Sequence, residues 1–299
     1  MNAERRLLVR HETRYAYDAP VEVAHHSAWL RPRNTAWQAV LGWQLHIDPE
    51  PECAVYESLD AFGNWRHGFS HSRVHRHLSV VSTFEASLQP GPVWDAAALQ
   101  RSPPCASVAQ ALRYGAGVQQ PDAVGFALGT AFAPISRSLA DFAGGLHDGA
   151  RPLLEFALAL MAHVNQSIMY APQSTSVATS APQVLAQGRG VCQDFAHLMI
   201  AVLRSHGLAA SYVSGYLLTE APPGQPRLVG ADASHAWVGV WCPVHGWVAL
   251  DPTNNVVVGQ DHVTLAWGRD YADVAPLRGV IRGGGDAPPR VAVSVEPIG

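Results

Sequence analysis

Three residues in the C-terminal part of this 299-residue chain have the types that thiol catalysis needs: Cys192, His235 and Asp251. Nucleophilic catalysis by cysteine requires a thiolate, a histidine within hydrogen-bonding reach and a third group that orients the imidazole. Taken singly, each residue has an ordinary structural explanation, as a buried cysteine, a structural histidine and a turn-forming aspartate. The elements that position them therefore decide between the two interpretations.

Cys192 stands at the start of a predicted helix in the segment GRGVCQDFAHLMIAVLRSHGLAASYVSGYL, residues 188–217. Apolar residues recur along one helical face, at positions 195, 198, 199, 202 and 203. Gly207 is suited to the left-handed position that ends a helix, and an apolar strand follows it. Cys192 thus falls in the first turn, where backbone N–H groups and the helix dipole favour the thiolate over the thiol.

His235 and Asp251 stand at the two ends of a predicted hairpin, ASHAWVGVWCPVHGWVALDP, residues 233–252. Its two apolar strands are joined by a turn at residues 243–246. If Trp241 pairs with Trp247, His235 and Asp251 become diagonal neighbours on one face, about 5.5–8 Å apart. The hairpin therefore predicts a base and an orienting carboxylate side by side.

The chain divides into three regions. Residues 1–88 contain short alternating segments separated by turns, one of them at residues 18–20, which predicts a small all-β, sandwich-like domain. Residues 89–134 are rich in Pro, Gly, Ala and Ser and are interpreted as a linker with partial helix. Residues 135–299 place helices before strands, which predicts an α+β core with helices packed on an antiparallel sheet.

Composition excludes several function classes. Apolar residues make up 48% and charged residues 15% of the chain, the formal net charge is −4, and the basic residues are scattered arginines. Nucleic acid is therefore not expected as a partner. The N-terminus lacks the apolar stretch of a signal peptide, and no continuous apolar run is long enough to span a membrane. Four cysteines without CxxC spacing fit reduced thiols, so we expect a cytoplasmic protein that does not bind membranes.

Metal chemistry is not expected either. His67, His71, His75 and His77 could supply ligands from neighbouring strand positions, but a solvated strand face is the simpler interpretation. No acidic, oxygen-rich loop predicts a calcium site. We therefore predict neither a metal nor a cofactor.

Other residues near the site leave alternatives open. Tyr170 could serve as an oxyanion donor or belong to the core, and Asp194 could pair with His197 or cap the helix. Cys242 is interpreted as a buried spectator thiol, and His262 shows no partner pattern in the sequence.

Several motifs together resemble a known family. GVCQDFAHLMIAVLRSHGLAASYVSGYL, ASHAWVGVWCPVHGWVALDPTNN and GRDYADVAPLRG resemble the core of bacterial transglutaminase-like proteins of the cysteine protease type. YDAPVEVAHHSAWLRPR and DAFGN are similar to the β-domain that precedes that core. The resemblance covers nearly the whole chain and is weakest at about residues 89–150.

This resemblance implies a papain-like α+β core with Cys192 as nucleophile, His235 as general base and acid, and Asp251 as the orienting carboxylate. The implied reaction is acyl transfer from a carboxamide, peptide or isopeptide bond through a thioester. Hydrolysis is favoured over transfer to an amine, because transfer requires a thioester that is shielded from water. A non-catalytic binding module on the same fold remains the alternative from another class, and the sequence leaves the oligomeric state open.

Overall fold

Two antiparallel sheets organise the chain, whose computed structural model describes residues 4–115, 120–219 and 234–298. The strands are β1 Arg5–Ala28, β2 Gln38–Asp48, β3 Tyr56–Leu59, β4 Trp65–His71, β5 His75–Leu88, β6 Met169–Tyr170, β7 Arg189–Gly190, β8 Ala210–Leu217, β9 Ser234–Cys242, β10 Gly246–Asp251, β11 Val256–Val257, β12 His262–Gly268, β13 Leu277–Gly283 and β14 Arg290–Pro297. The α-helices are α1 Ala96–Gln100, α2 Cys105–Ala111, α3 Pro121–Val124, α4 Arg137–Phe142, α5 Leu153–Ser167, α6 Ala181–Gln187, α7 Cys192–Ser205 and α8 Tyr271–Val274.

The central helix α7 begins at Cys192, as the sequence predicted. Its apolar face packs in the main core, and the fully or nearly fully buried members are Phe195, Leu198, Met199, Val202 and Leu203. Gly207 has φ +75°, the left-handed conformation expected after the helix. Near that end, the buried Arg204 donates to the carbonyls of Phe126, Ala210 and Arg269, which fixes α7 to the elements around it.

The core sheet has the strand order β11-β10-β9-β8-β12. In its hairpin Trp247 lies opposite Trp241, so the predicted register is confirmed. Together with α7 and the long helix α5, the sheet forms the predicted α+β core. Among the described helices, none has the length and apolar character to cross a membrane.

The N-terminal sheet has the order β2-β5-β1-β4-β3, and β13 and β14 also pair with β1. The turn predicted at residues 18–20 is wrong, because β1 runs through that position as one 24-residue strand. The β1–β5 register shifts between Ala16 and Val21, so the Asp-Ala-Pro sequence makes an irregularity within the strand.

The C-terminal strands return to the N-terminal sheet. β14 pairs with the first half of β1, and β13 pairs with the second half. Residues 277–297 were expected inside a core that spans 135–299, but their hydrogen bonds place them in the sheet of the N-terminal region. The domain boundaries 1–88, 89–134 and 135–299 otherwise stay a prediction.

The segment interpreted as a linker contributes to the main core. Cys105, Val108, Leu112 and Phe126 are buried in the same cluster as α5 and α7. The partial helix predicted here is present as α1 and α2. Backbone hydrogen bonds hold α2 next to the start of α5, among them Cys105 N–H to the Arg151 carbonyl. The described parts of this region are therefore ordered by burial of their scattered apolar residues.

Two buried amide side chains connect the N-terminal region to β12, an edge strand of the core sheet. Gln38 Nε2 donates to the Thr264 carbonyl at 2.8 Å, and Thr264 N–H donates to Gln38 Oε1 at 2.8 Å. Asn64 makes the same paired bonds with both backbone groups of Trp267, at 2.8 and 3.0 Å. These amides satisfy edge groups of β12 in the way that a neighbouring strand would.

Replacing Gln38 by leucine is predicted to destabilise the fold by about 2–4 kcal/mol, because both backbone groups of Thr264 lose a buried partner. Urea unfolding followed by circular dichroism measures this change. Gln187→Leu is the matched control, since Gln187 is exposed at the end of α6, and it should change the free energy of unfolding by less than about 0.5 kcal/mol. Equal losses in the two variants would contradict the bracing role of Gln38.

Candidate active site

Cys192 occupies the first position of α7, and its neighbours fix where that helix starts. Val191 before it is extended, with φ −113° and ψ 178°. Asp194 Oδ2 accepts the Val191 N–H at 2.7 Å and the Thr175 hydroxyl at 2.6 Å. The thiol is partly exposed and lies 3.9 Å from the Ser234 carbonyl oxygen, so the helix start is held against the start of β9.

His235 is the second residue of β9 and stands between the thiol and a carboxylate. Its Nε2 is 2.7 Å from Asp251 Oδ2, and its side chain is only 10% exposed. The Cys192 side chain is close enough to the ring to raise its pKa. Because Nε2 faces the carboxylate, Nδ1 is the nitrogen left for the sulfur. The structure thus brings together all three residues that the sequence singled out.

Asp251, at the end of β10, is completely buried and accepts five hydrogen bonds. Oδ1 accepts the backbone N–H groups of Thr253 and Asn254, at 2.9 and 3.2 Å, in the turn that follows the strand. Oδ2 accepts from His235, from Asn254 Nδ2 at 2.7 Å and from His262 Nε2 at 3.1 Å. This donor set replaces the water that the carboxylate lost on burial.

These contacts set the charge states of the pair. Burial alone would raise the pKa of Asp251, but hydrogen bonds from His235, His262 and Asn254 and the charge on His235 hold it far below its usual range. Burial alone would lower the pKa of His235, but its hydrogen bond to Asp251 and its interaction with Cys192 raise it to about 9. At neutral pH the ring is therefore an imidazolium, and a positive charge beside the sulfur favours the thiolate.

The sequence missed two partners of the buried carboxylate. His262 lacked any partner pattern, yet it is buried at the start of β12 and contacts Asp251. Asn254 is the second partner: it lies three residues after Asp251, in a turn whose backbone and side-chain N–H groups donate back to the aspartate. The short separation of Asn254 from Asp251 in the sequence is a signal for that contact. His262 lies on the edge strand β12, which β9 and β8 separate from β10 in the sheet, so no local signal predicts the contact of His262 with Asp251.

One group of three side chains in the described part of the chain could hold a metal ion: His235, Asp251 and His262, whose ligand atoms lie within 4.8 Å of one another. The donor chemistry is compatible with a divalent transition metal. The observed contacts of 2.7 and 3.1 Å are those of N–H groups donating to a carboxylate. A metal there would use the same Nε2 atom of His235 that now fixes the ring on Asp251.

Of the two roles considered for Asp194, the structure shows the helix cap and not the pair with His197. Asp194 caps α7, and burial raises its pKa in spite of its hydrogen bonds. His197 does not pair with Asp194: its Nε2 accepts the Tyr271 N–H at 3.1 Å, and burial lowers its pKa to about 3.

Tyr170 is 53% exposed and therefore not a core residue. Partial burial and the nearby Cys192 raise its pKa. Cys242 is buried at the end of β9.

The histidines of the N-terminal sheet do not form the solvated face that was expected. His67, His71 and His75 are buried. Their partners are separate: the Glu57 carboxylate for His67, and the carbonyls of Pro49 and Arg73 for His71 and His75. Only His77 of the four is exposed, where it faces Asp48. Three of these histidines are thus buried residues of the N-terminal sheet, each with its own hydrogen-bond partner.

Removing the thiol should lower the pKa of His235 from its value of about 9, because Cys192 supplies part of the raising interaction. We expect this fall in Cys192→Ala, measured from the imidazole signals in a pH titration by NMR. Cys242→Ala, which removes a buried thiol away from the hydrogen-bonded group, should leave the titration unchanged. An identical titration curve in wild type and Cys192→Ala would mean that the sulfur and the ring do not interact.

The same pKa predicts a pH dependence of stability. A histidine whose pKa is raised on folding stabilises the folded state fully below about pH 6.5, its unfolded value. That contribution is lost as the pH rises through about 9.

The chain is similar to known proteins in both of its regions. Residues 7–87 match the bacterial transglutaminase-like N-terminal region, and residues 140–252 match the transglutaminase-like superfamily. An uncharacterized protein of Mycobacterium tuberculosis is 38% identical over 285 residues, which cover 94% of this chain and 89% of that protein. A protein-glutamine gamma-glutamyltransferase of Pseudomonas aeruginosa is 32% identical over 149 residues, 48% of this chain and 22% of that enzyme.

Among solved structures, a candidate cysteine protease from Cytophaga hutchinsonii superposes with a TM-score of 0.76 at 20% identity, covering 100% of this chain and 92% of that one. At this identity the likeness concerns the fold. The two matched regions and the full-length relative together establish the family. The chain belongs to the transglutaminase-like superfamily, with the bacterial N-terminal region that precedes the core.

Proposed function

We propose that this protein is a thiol enzyme that cleaves a carboxamide, peptide or isopeptide bond by acyl transfer. Cys192 is the nucleophile, His235 the proton donor and acceptor, and Asp251 the carboxylate that orients the ring. The observation that carries the proposal is the buried Asp251 hydrogen-bonded to His235 at 2.7 Å, with a partly exposed thiol at a helix start that lies against Ser234, the residue before His235. This arrangement supplies the thiolate, the proton carrier and its orienting group that the chemistry requires.

The first half-reaction forms a thioester. The Cys192 thiolate adds to the carbonyl carbon, and the carbonyl electron pair moves to oxygen. As the tetrahedral intermediate collapses, the C–N bond breaks and the His235 imidazolium gives its proton to the leaving nitrogen. Because the ring already carries this proton at neutral pH, it begins the cycle as the acid.

The second half-reaction restores the enzyme. His235, now neutral, takes a proton from a water molecule while the oxygen adds to the thioester carbon. Collapse expels the thiolate, releases a carboxylic acid and leaves the imidazolium paired with Asp251. Throughout, the five hydrogen bonds on Asp251 keep the ring in one orientation.

The oxyanion requires donors near the sulfur. The backbone N–H of Cys192 lies in the first turn of α7, where such groups have no partner within the helix. Tyr170 is a second candidate, because it is near Cys192 and its hydroxyl is protonated at neutral pH and able to donate. We propose both groups for this role.

We favour water over an amine as the acyl acceptor, because the thiol is partly exposed in the described part of the chain. Transamidation is the alternative within the same mechanism, and the similarity to a protein-glutamine gamma-glutamyltransferase supports it. The four cysteines are unpaired, which suits a reducing compartment. We therefore propose the cytoplasm as the place of action.

Alkylation by iodoacetamide at pH 6.5 tests the first step. Cys192 in wild type should react at least about tenfold faster than in His235→Ala, because the imidazolium that favours the thiolate is gone. Mass spectrometry of the Cys192 peptide measures the rate. The exposed Cys53 of the same molecule is the internal reference. If Cys192 reacts no faster than Cys53 and is indifferent to the substitution, it is an inert thiol and the proposal fails.

Product analysis tests the acceptor. A panel of peptides, isopeptides and glutamine carboxamides is incubated with and without about 10 mM of a fluorescent primary amine, and ammonia, cleaved peptide and amine conjugate are measured. We expect hydrolysis products to dominate. Their rate of formation should fall at least about a thousandfold in Cys192→Ser. Dominant conjugate formation would identify a transamidase instead. Reactive Cys192 with no turnover of any substrate would favour the non-catalytic module.

A further inference from the structure

A cavity of about 410 Å³ lies on the face of the core sheet away from α7. β10 and β12 are separated in the sheet by β9 and β8, yet His262 reaches Asp251, so the sheet curls around this face. Residues 35–38 of the N-terminal region and residues from the segment 88–94 line the other side. The cavity has the size of a small-molecule site, and Cys192 is not among the residues that line it.

Tryptophan dominates the lining. Five of the nine tryptophans of the chain face the cavity, and they are Trp37, Trp94, Trp237, Trp247 and Trp267. Trp237 is buried, whereas Trp37 and Trp247 are 49% and 45% exposed. Large aromatic surfaces left in contact with water around a concave site are typical of binding sites.

A glycine keeps this space open. A Cβ atom at Gly239 would lie 2.4 Å from Ser211 Oγ and 3.4 Å from the Trp247 ring. A side chain at this position would therefore displace the groups that form the wall. The absence of a side chain here lets Trp247 lie across the sheet.

The lining also restricts the charge of an occupant. Among the described residues that line the cavity there is no Arg, Asp or Glu, and His262 is the one titratable group. A charged ligand would lose its hydration without gaining a free counter-charge, because His262 is already paired with Asp251. Flat indole faces instead favour an aromatic ring through stacked or edge-on contacts.

We propose that this cavity binds a neutral aromatic small molecule whose ring lies against Trp237 and His262. Those two rings are already packed edge to face, with centroids 5.4 Å apart and an interplanar angle of 84°. Behind them His262 contacts Asp251. The binding site is thus distinct from the thiol cleft but shares a wall with the residues that surround the buried carboxylate.

Two probes that differ in one charge test the site on the wild-type protein. Indole-3-acetamide should bind saturably, with a Kd below about 1 mM by calorimetry. Indole-3-acetate carries the same ring and a carboxylate, and should bind at least about tenfold more weakly. Addition of the acetamide should also shift the imidazole NMR signal that is absent in His262→Gln.

Variants locate the binding. Ala249 lines the cavity, so Ala249→Phe should fill it and weaken binding of indole-3-acetamide at least about tenfold. Trp247→Ala removes a ring from the opening and should also weaken binding. Trp65→Ala is the matched control, because Trp65 lies on β4 outside the cavity, and it should leave the Kd unchanged.

Absence of saturable binding by either probe up to about 5 mM would overturn the proposal. So would equal affinity for the two probes, or binding that survives Ala249→Phe. None of these measurements uses catalysis or the thiol, so their failure is distinguishable from failure of the proposed enzyme activity.

Discussion

The buried carboxylate of Asp251 is the constraint on which the site depends. A lone carboxylate in a protein interior is unstable unless donors replace its hydration. Here Thr253 and Asn254 supply backbone N–H groups, and Asn254, His235 and His262 supply side-chain donors. These donors come from the start of β9, the turn after β10 and the start of β12. The carboxylate can therefore be accommodated only where the three segments have reached their final positions.

Comparison with Asp194 shows what this donor set achieves. Both carboxylates are almost fully buried. Asp194 receives two hydrogen bonds on one oxygen, its other oxygen has no partner among the described residues, and burial raises its pKa. Asp251 receives five bonds and the charge of His235, and its pKa falls. Hence donors and a cationic neighbour, rather than exposure, keep Asp251 negatively charged.

The parts of the fold that could be predicted are those with a local signal. The bounds of α7 followed from its periodic apolar face and from Gly207, and the Trp241–Trp247 register followed from a short turn. The return of β13 and β14 to β1 and the contact of His262 with Asp251 depend on pairings between distant segments. No residue spacing along the chain predicts these contacts, because the pairing of distant strands is determined by how the complete fold packs.

The N-terminal region takes part in the geometry of the site through β12. This strand is at the edge of the core sheet, and an unsupported edge opens more easily than a paired one. Gln38 and Asn64 hold its backbone groups at Thr264 and Trp267. His262 lies two residues before Thr264, so the brace on the strand also limits the movement of that histidine relative to Asp251. The N-terminal sheet is therefore a structural support of the carboxylate rather than a separate appendage.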